Sequence, residues 1–219
     1  MLSSLLPAEV AVAETFGDPE DAVLFPGEEA AIARAVTKRR REYVTARHCA
    51  RLAMMQLGLP PAAIGSGGNR EPLWPDGLVG SITHCDGYRA AAVARSTAVT
   101  GVGVDAEPHA ALPAGVFDTI ARPDEAPMLA ELAAARPEVW WDRLLFSAKE
   151  SVYKAWFPVA ERWLGFGDAS LDLEPGETRA DGSISGGYSV RIHQSGAPLT
   201  RMTGRWIVES GFVLTAITL

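Results

Sequence analysis

Apolar residues recur with helical spacing in two long stretches of the chain. The first stretch covers residues 27 to 57, and its pattern ends at Gly58 and Pro60. The second covers residues 137 to 157 and is followed by Pro158. The apolar stripe of this second stretch consists of Trp141, Leu144, Leu145, Ala148, Val152 and Ala155. The pattern predicts two long helices, each with one apolar face.

Strand-like runs follow each predicted helix. They cover residues 79–84, 88–94, 99–107, 169–173, 187–194, 201–209 and 212–219. Asp86-Gly87, between the first two runs, is typical of a tight hairpin turn, whereas residues 113 to 136 look helical with proline interruptions. The order of helix followed by strands occurs twice. It predicts an α/β (α+β) protein of two lobes, each a small, mainly antiparallel sheet packed with a long helix. We place the N-terminal lobe at residues 1–101 and the C-terminal lobe at residues 102–219.

Composition narrows the class of protein. Of the 219 residues, 47% are hydrophobic and 21% are charged, as in a soluble globular protein. No apolar run approaches the roughly 20 residues of a membrane span, and the first residues lack the pattern of a signal peptide. With only two cysteines, the chain suits a reducing compartment, and we expect a cytoplasmic protein that does not bind membranes.

Charge is distributed unevenly along the chain. The net charge of −7 argues against a nucleic-acid-binding protein. Six basic residues nevertheless fall in one short segment: Lys38, Arg39, Arg40, Arg41, Arg47 and Arg51. This segment is either a solvated helix face or a binding site for one small anionic ligand.

Two carboxylates end the third predicted strand. Asp105 and Glu107 are two residues apart, so both side chains project from one face of the strand. Carboxylate oxygens placed in this way suit Mg²⁺, which keeps waters or substrate phosphates as its other ligands. The alternative is an exposed acidic strand end without a metal. The pair alone does not decide between them.

A pair of oppositely charged residues lies on the second predicted helix. Glu150 and Lys154 are four residues apart and share a helix face. They form either a surface ion pair or, together with the strand carboxylates, a site for Mg²⁺ and a phosphate. His84 ends the strand Ser81–His84 before a turn and is either satisfied within the fold or in contact with a phosphate. The spacing of His and Cys residues does not fit zinc.

These segments together resemble the surfactin/enterobactin-synthetase (Sfp/EntD) type of 4′-phosphopantetheinyl transferase. The motifs that carry the resemblance are SITH at residues 81–84, GVDAE at 103–107 and FSAKESVYK at 146–154, with Phe146 where many members have tryptophan. The WPDG segment and the RRREYVTARHCA helix also match one branch of that family. The likeness covers roughly residues 37 to 167. It implies a pseudo-dimer of two similar α/β lobes with coenzyme A bound between them.

The resemblance also implies a role for individual residues. Asp105, Glu107 and Glu150 would hold Mg²⁺, for which Mn²⁺ is a possible substitute. Glu150 and Lys154 would be catalytic, Glu150 as the base. The residues expected to contact coenzyme A are Arg39, Arg47, Arg70, Thr83, His84, Asp105, Lys149 and Lys154. Two departures from the family stand out. Ala106 replaces a polar residue of some relatives, so a water would fill a metal position, and the loop around Arg70 lacks a lysine.

The implied reaction is the transfer of 4′-phosphopantetheine from coenzyme A, the substrate, to a serine of an apo carrier protein. Acyl and peptidyl carriers of fatty-acid, polyketide and nonribosomal-peptide synthases all remain possible, siderophore synthesis included. We expect a monomer whose carrier docks on the apolar segment of residues 156 to 166, unless that segment is core. The alternatives are a Mg²⁺-dependent nucleotide or phosphate-ester hydrolase and a non-catalytic coenzyme A-binding protein. The hydrolase is disfavoured by the lack of a P-loop.

Overall fold

The first half of the chain forms a small sheet covered by one long helix. A computed structural model describes all residues, Met1–Leu219. The elements of this half are β1 (Ala11–Thr15), α1 (Thr37–Gln56), β2 (Gly65–Ser66), β3 (Pro72–Leu73), β4 (Leu78–Cys85) and β5 (Tyr88–Arg95). Strands β1, β5 and β4 pair in that order and antiparallel, and β2 and β3 form a separate short hairpin. The predicted tight turn is confirmed, because Cys85 pairs with Tyr88 and Gly87 has φ of 81°.

The second half forms a larger sheet with its own long helix. Its elements are β6 (Val102–Pro108), α2 (Phe117–Ile120), α3 (Ala126–Ala135), α4 (Trp141–Ala160), β7 (Ala169–Leu173), β8 (Glu177–Thr178), β9 (Ile184–Ile192), β10 (Arg201–Glu209) and β11 (Phe212–Thr218). The strand order is β6-β11-β10-β9-β7, with β8 paired to β9. All these pairs are antiparallel. The expected mixture of helix and sheet is therefore confirmed.

Three apolar cores hold these layers together. One lies between α1 and the first sheet, and another lies between α4 and the second sheet. The third lies between the two sheets and combines residues of both halves, such as Ala92 of β5, Val104 of β6 and Leu214 of β11. The 3-10 turn Leu2–Leu5 also packs into this central core. The two halves therefore share buried apolar surface.

The packing of α4 against β6 requires a glycine on the strand. A Cβ atom at Gly103 would lie 2.6 Å from the backbone nitrogen of Ala155. Only a residue without a side chain lets the helix approach the strand this closely. Asp105, two residues further along β6, is thereby held against the same helix.

Strands β4 and β6 are joined through side chains. The hydroxyl of Ser81 accepts a hydrogen bond from the backbone N–H of Val104 at 3.0 Å. The hydroxyl of Thr83 accepts one from the backbone N–H of Ala106 at 2.9 Å. Because β6 is the edge strand of the second sheet, these hydroxyls replace the backbone partners that its outer edge lacks. The candidate site lies at this seam.

The first long helix begins later than its apolar pattern predicts. It begins at Thr37, and residues Glu29–Ile32 form a 3-10 turn instead. Glu28 is buried and accepts hydrogen bonds from the backbone N–H groups of Phe25 and Ile64, at 2.8 Å each. These contacts hold the preceding segment across the fold and prevent the helix from extending into it. No helix in the structure has both the length and the apolar character needed to cross a bilayer.

Candidate active site

Asp105 lies at the centre of the site and is almost fully buried. It sits on β6, and its Oδ1 accepts a hydrogen bond from Nζ of Lys154 at 2.7 Å. The same ammonium group donates to the carbonyl oxygen of Val104 at 3.1 Å. The other carboxylate oxygen of Asp105, Oδ2, is buried without any hydrogen-bond partner. A buried anionic oxygen without a partner is costly, so it marks a place for a further positive group.

Glu150 is the second acidic residue of the site. It lies one helical turn before Lys154 on α4, and its half-buried carboxylate makes no hydrogen bond or ion pair. Burial raises the pKa of Glu150, the positive charge of Lys154 lowers it, and the negative charge of Asp105 raises it again. A carboxyl group with a raised pKa is a better proton acceptor when it does ionise.

Glu107 is held by an arginine that the sequence motifs did not single out. Its Oε2 accepts a hydrogen bond from Nη1 of Arg143 at 2.8 Å. Burial and the charge of Asp105 raise the pKa of Glu107 to about 7, although Arg143 opposes this shift. Spacing could have identified Arg143, because it lies seven residues before Glu150 and thus on the same helix face.

The acidic side chains fit a divalent cation in chemistry, although their present geometry is not that of a bound metal. No three His, Cys, Asp or Glu residues come together in metal-binding geometry. Asp105, Glu107 and Glu150 nevertheless offer only oxygen donors, as Mg²⁺ prefers. The free Oδ2 of Asp105 and the unpaired carboxylate of Glu150 are available to such an ion.

The side chain of Ala106 lies away from the candidate metal site. Its side chain is fully buried in the central core, together with Leu214 and Ala216. Strand alternation directs it away from the side of Asp105 and Glu107. A larger residue at position 106 would therefore enter the core.

His84 lies at the other side of the seam, against α1. Its Nε2 is hydrogen-bonded to Nη1 of Arg39, and its Nδ1 lies 3.4 Å from Oε2 of Glu42. Burial, and then the charge of Arg39, lowers the pKa of His84 to about 3. The imidazole is therefore neutral at physiological pH. Arg39 is only partly buried, so its guanidinium stays accessible beside His84.

Two other basic residues of the first half, Arg47 and Arg70, lie at the β2–β3 hairpin. Arg47 is buried, donates to the carbonyl oxygen of Ile64 at 2.9 Å and to the hydroxyl of Ser66 at 2.9 Å, and stacks on Tyr43. Burial lowers the pKa of Arg47 to about 10. Its main contacts thus fix the β2–β3 hairpin. Arg70 is exposed at the tip of that hairpin.

A buried ion pair that the sequence did not reveal holds the same hairpin. Arg51 donates to Oε1 of Glu28 at 2.9 Å, and both side chains are buried. The basic segment of α1 is therefore not one continuous ligand-binding face. Arg51 belongs to the interior, whereas Arg39 lies beside His84.

Lys149 was expected to contact coenzyme A, and the structure contradicts this expectation. Its buried ammonium group forms an ion pair with Glu125 at 2.8 Å. It also donates to three backbone carbonyl oxygens, those of Ile120, Phe166 and Ala169. Since all its donors are used within the fold, Lys149 is a structural residue.

Comparison with known proteins decides the family. The model for the 4′-phosphopantetheinyl transferase N-terminal domain matches residues 27–94, and that for the 4′-phosphopantetheinyl transferase superfamily matches residues 101–199. The chain is 51% identical to the 4′-phosphopantetheinyl transferase PptT of Mycobacterium tuberculosis, over 100% of this chain and 98% of that protein. The chain belongs to the 4′-phosphopantetheinyl transferase family. The resemblance read from the motifs and the expected enzyme class are thus confirmed.

Two further relatives agree with this assignment. The 4′-phosphopantetheinyl transferase Npt of Nocardia iowensis is 48% identical over 99% of both chains. The 4′-phosphopantetheinyl transferase Svp of Streptomyces mobaraensis is 46% identical over 99% of this chain and 88% of that protein. Similarity therefore extends over the whole transferase and not only over its motifs.

Proposed function

We propose that this transferase moves the 4′-phosphopantetheine arm of coenzyme A to a serine of an apo carrier protein and releases 3′,5′-ADP. The single observation that carries the proposal is the arrangement around Asp105. One of its oxygens is held by Lys154, the other is free, and the unpaired carboxylate of Glu150 is a helical turn away from Lys154. This arrangement joins a cation site, a phosphate-binding ammonium and a base.

The reaction needs charge neutralisation and one proton acceptor. Asp105, Glu107 and Glu150 would hold Mg²⁺ or Mn²⁺, which supplies positive charge to the pyrophosphate of coenzyme A. The carrier serine attacks the β-phosphorus, and the bond from that phosphorus to the bridging oxygen breaks. The serine proton passes to Glu150, and the bridging oxygen leaves with the electron pair on the 5′-phosphate of 3′,5′-ADP. Lys154 orients the phosphates and offsets their charge.

The nucleotide end of coenzyme A is proposed to bind between the two halves of the chain. We retain residues 1–101 and 102–219 as two lobes of a pseudo-dimer, which is supported by one sheet and one long helix in each. Arg39 offers N–H donors to the 3′-phosphate from α1, and the neutral ring of His84 accepts a hydrogen bond from Arg39 and would hold it beside that phosphate. Arg70 is the exposed candidate on the β2–β3 hairpin, whereas Arg47 would act mainly by holding that hairpin.

The carrier is proposed to dock near the end of α4. Within the apolar segment of residues 156 to 166, Trp163 is 67% exposed, whereas Trp156 and Leu164 are buried. Trp163 packs on Tyr153 of α4, with ring centroids 5.1 Å apart. The docking surface is therefore Trp163 with its exposed neighbours, and Leu164 belongs to the core. The monomeric state and cytoplasmic location remain predictions.

The mass of a carrier protein tests the proposed reaction. The enzyme is incubated with coenzyme A, Mg²⁺ and an apo carrier, and the carrier is weighed by mass spectrometry. We expect the carrier to gain one phosphopantetheine group only when Mg²⁺ and coenzyme A are both present. Consumption of coenzyme A without a carrier would indicate a hydrolase, and binding without any product would indicate a non-catalytic binding protein.

A further inference from the structure

The hydroxyl of Thr83 makes two contacts at the seam between the strands. It accepts the hydrogen bond from the backbone N–H of Ala106 at 2.9 Å. It also donates to Oδ1 of Asp105, at 3.4 Å. A hydroxyl has one hydrogen to donate, and once its oxygen has accepted the amide this hydrogen is free for the carboxylate. Thr83 and Asp105 are 2% and 5% exposed, so water does not compete for either group.

We propose that Thr83 is a positioning residue for Asp105. Thr83 on β4 and Lys154 on α4 both donate to Oδ1 of Asp105 and leave Oδ2 without a partner. Two donors on one oxygen fix the rotation of the carboxylate. They thereby orient Oδ2 toward the cation that the proposed function requires. The inference rests on the proposed function because that function supplies the cation.

Ser81 provides a matched control on the same strand. Its hydroxyl accepts the backbone N–H of Val104 at 3.0 Å, just as Thr83 accepts that of Ala106. Both side chains are 2% exposed. Ser81 makes no contact with a carboxylate. Removing either hydroxyl leaves one buried amide unpaired, which costs stability, but only the loss of Thr83 removes a donor from Asp105.

The experiment compares three variants: Thr83→Val, Thr83→Ser and Ser81→Ala. Binding of Mn²⁺ to the purified protein is measured by electron paramagnetic resonance, without substrate and without turnover. We expect Thr83→Val to weaken Mn²⁺ binding about 10-fold, as is typical when a residue that orients a metal ligand is lost. Thr83→Ser should restore the affinity, and Ser81→Ala should bind Mn²⁺ like the wild type despite a similar loss of thermal stability.

A second readout separates positioning from contact with the ligand. If Thr83 orients Asp105, Thr83→Val should lower activity equally with coenzyme A and with dephospho-coenzyme A. Loss with coenzyme A alone, at unchanged Mn²⁺ affinity, would show a contact to the 3′-phosphate and overturn the proposal. Equal Mn²⁺ affinities of Thr83→Val and Ser81→Ala would overturn it as well. If Thr83→Val does not fold, Thr83→Ala takes its place.

The outcome also distinguishes this inference from the proposed function. A wild-type protein that binds Mn²⁺ but leaves the carrier unmodified would contradict the transfer reaction, while the comparison of variants still decides the role of Thr83. A wild-type protein that modifies the carrier without binding Mn²⁺ would contradict the metal site and, with it, the role proposed for Thr83.

Discussion

Asp105 and Glu150 differ in the partners that the fold gives them. Asp105 has a lysine and a threonine on one oxygen, whereas Glu150 has no hydrogen-bond partner and a raised pKa. The charge patterns left a shared site open, and the family resemblance implied that Asp105 and Lys154 belong to it. Helical spacing separates Lys149 from Lys154, because residues five apart point in different directions, but it could not show that Lys149 meets Glu125 in the interior.

Replacement of Glu150 tests its role as the base. Glu150→Gln keeps the shape of the side chain but cannot accept the serine proton, so we expect kcat to fall about 10²–10⁴-fold. Burial penalises the charged carboxylate, so its loss should leave the melting temperature unchanged or slightly raised. Glu131→Gln, at an exposed position of α3, is the control and should keep full activity. A Glu150→Gln enzyme with wild-type kcat would exclude Glu150 as the base.

The stability of the protein should depend on pH through His84. Burial and Arg39 lower the pKa of His84 to about 3, from the ordinary value of 6.5. Below pH 6.5 the unfolded chain therefore binds a proton that the folded chain does not bind, and stability falls as the pH is lowered. Between pH 7 and pH 5 we expect this loss to be about 1–2 kcal/mol smaller in His84→Gln than in the wild type.

Urea unfolding at the two pH values measures this difference. The charged groups around His84 are Arg39, Glu42, Lys154, Arg89 and Arg47, and they are unchanged in the variant. If the wild type and His84→Gln lose the same free energy of unfolding between pH 7 and pH 5, the imidazole is not held neutral by the fold.

At the scale of elements, two consecutive residues of α4 have different roles. Lys149 points into the interior and pairs with Glu125, whereas Glu150 faces the site. Hydrophobic periodicity, helical in the helices and alternating in the strands, predicted the two long helices and most strands. It misplaced the start of α1 because the buried carboxylate of Glu28 binds Arg51 and two backbone N–H groups from elsewhere in the chain. It missed β1, whose five residues are too few to show a clear alternation.

Loss of Lys149 should destabilise the protein without a direct effect on coenzyme A. Lys149→Met leaves Glu125 as a buried charge without its partner, so we expect a loss of about 3–5 kcal/mol. The double variant Lys149→Met/Glu125→Gln should be less destabilised, because the uncompensated charge is gone. Urea unfolding gives the stability, and calorimetry gives the affinity for coenzyme A.

The neighbouring lysine is the control for this prediction. Lys154→Met should weaken coenzyme A binding with a smaller effect on stability, since Lys154 is only partly buried. If Lys149→Met is as stable as the wild type but binds coenzyme A weakly, the original expectation that Lys149 contacts the ligand is correct and its structural role is wrong.

At the scale of the whole molecule, the two halves are joined by the central core and by the hydroxyls of Ser81 and Thr83. Two motifs about 20 residues apart in the sequence, on β4 and β6, meet at this seam. Their order and spacing were enough to predict the family, because each motif is short and lies within one element. The exposure of the apolar segment after α4 was not predictable, since burial there depends on how the segment packs against the rest of the fold.

The carrier-docking surface gives a prediction at this scale. Trp163→Ser should raise KM for the carrier and leave coenzyme A binding intact, because Trp163 is exposed near the catalytic helix. Leu164→Ser is a contrasting variant, which should instead lose stability because Leu164 is buried. With a net charge of −7, the enzyme should attract an acidic carrier poorly over long range. A steep rise of KM between low and physiological salt, with no effect of Trp163→Ser, would place docking on a basic surface.

The most direct test of the proposed chemistry counts both products of one reaction. Wild-type enzyme and Asp105→Asn are each mixed with coenzyme A, Mg²⁺ and an apo carrier, and 3′,5′-ADP and modified carrier are quantified together. The structure predicts one 3′,5′-ADP for each modified carrier with the wild type, and neither product above background with a folded Asp105→Asn protein. Equal activity of the two proteins, or 3′,5′-ADP without modified carrier, would contradict phosphopantetheine transfer at Asp105.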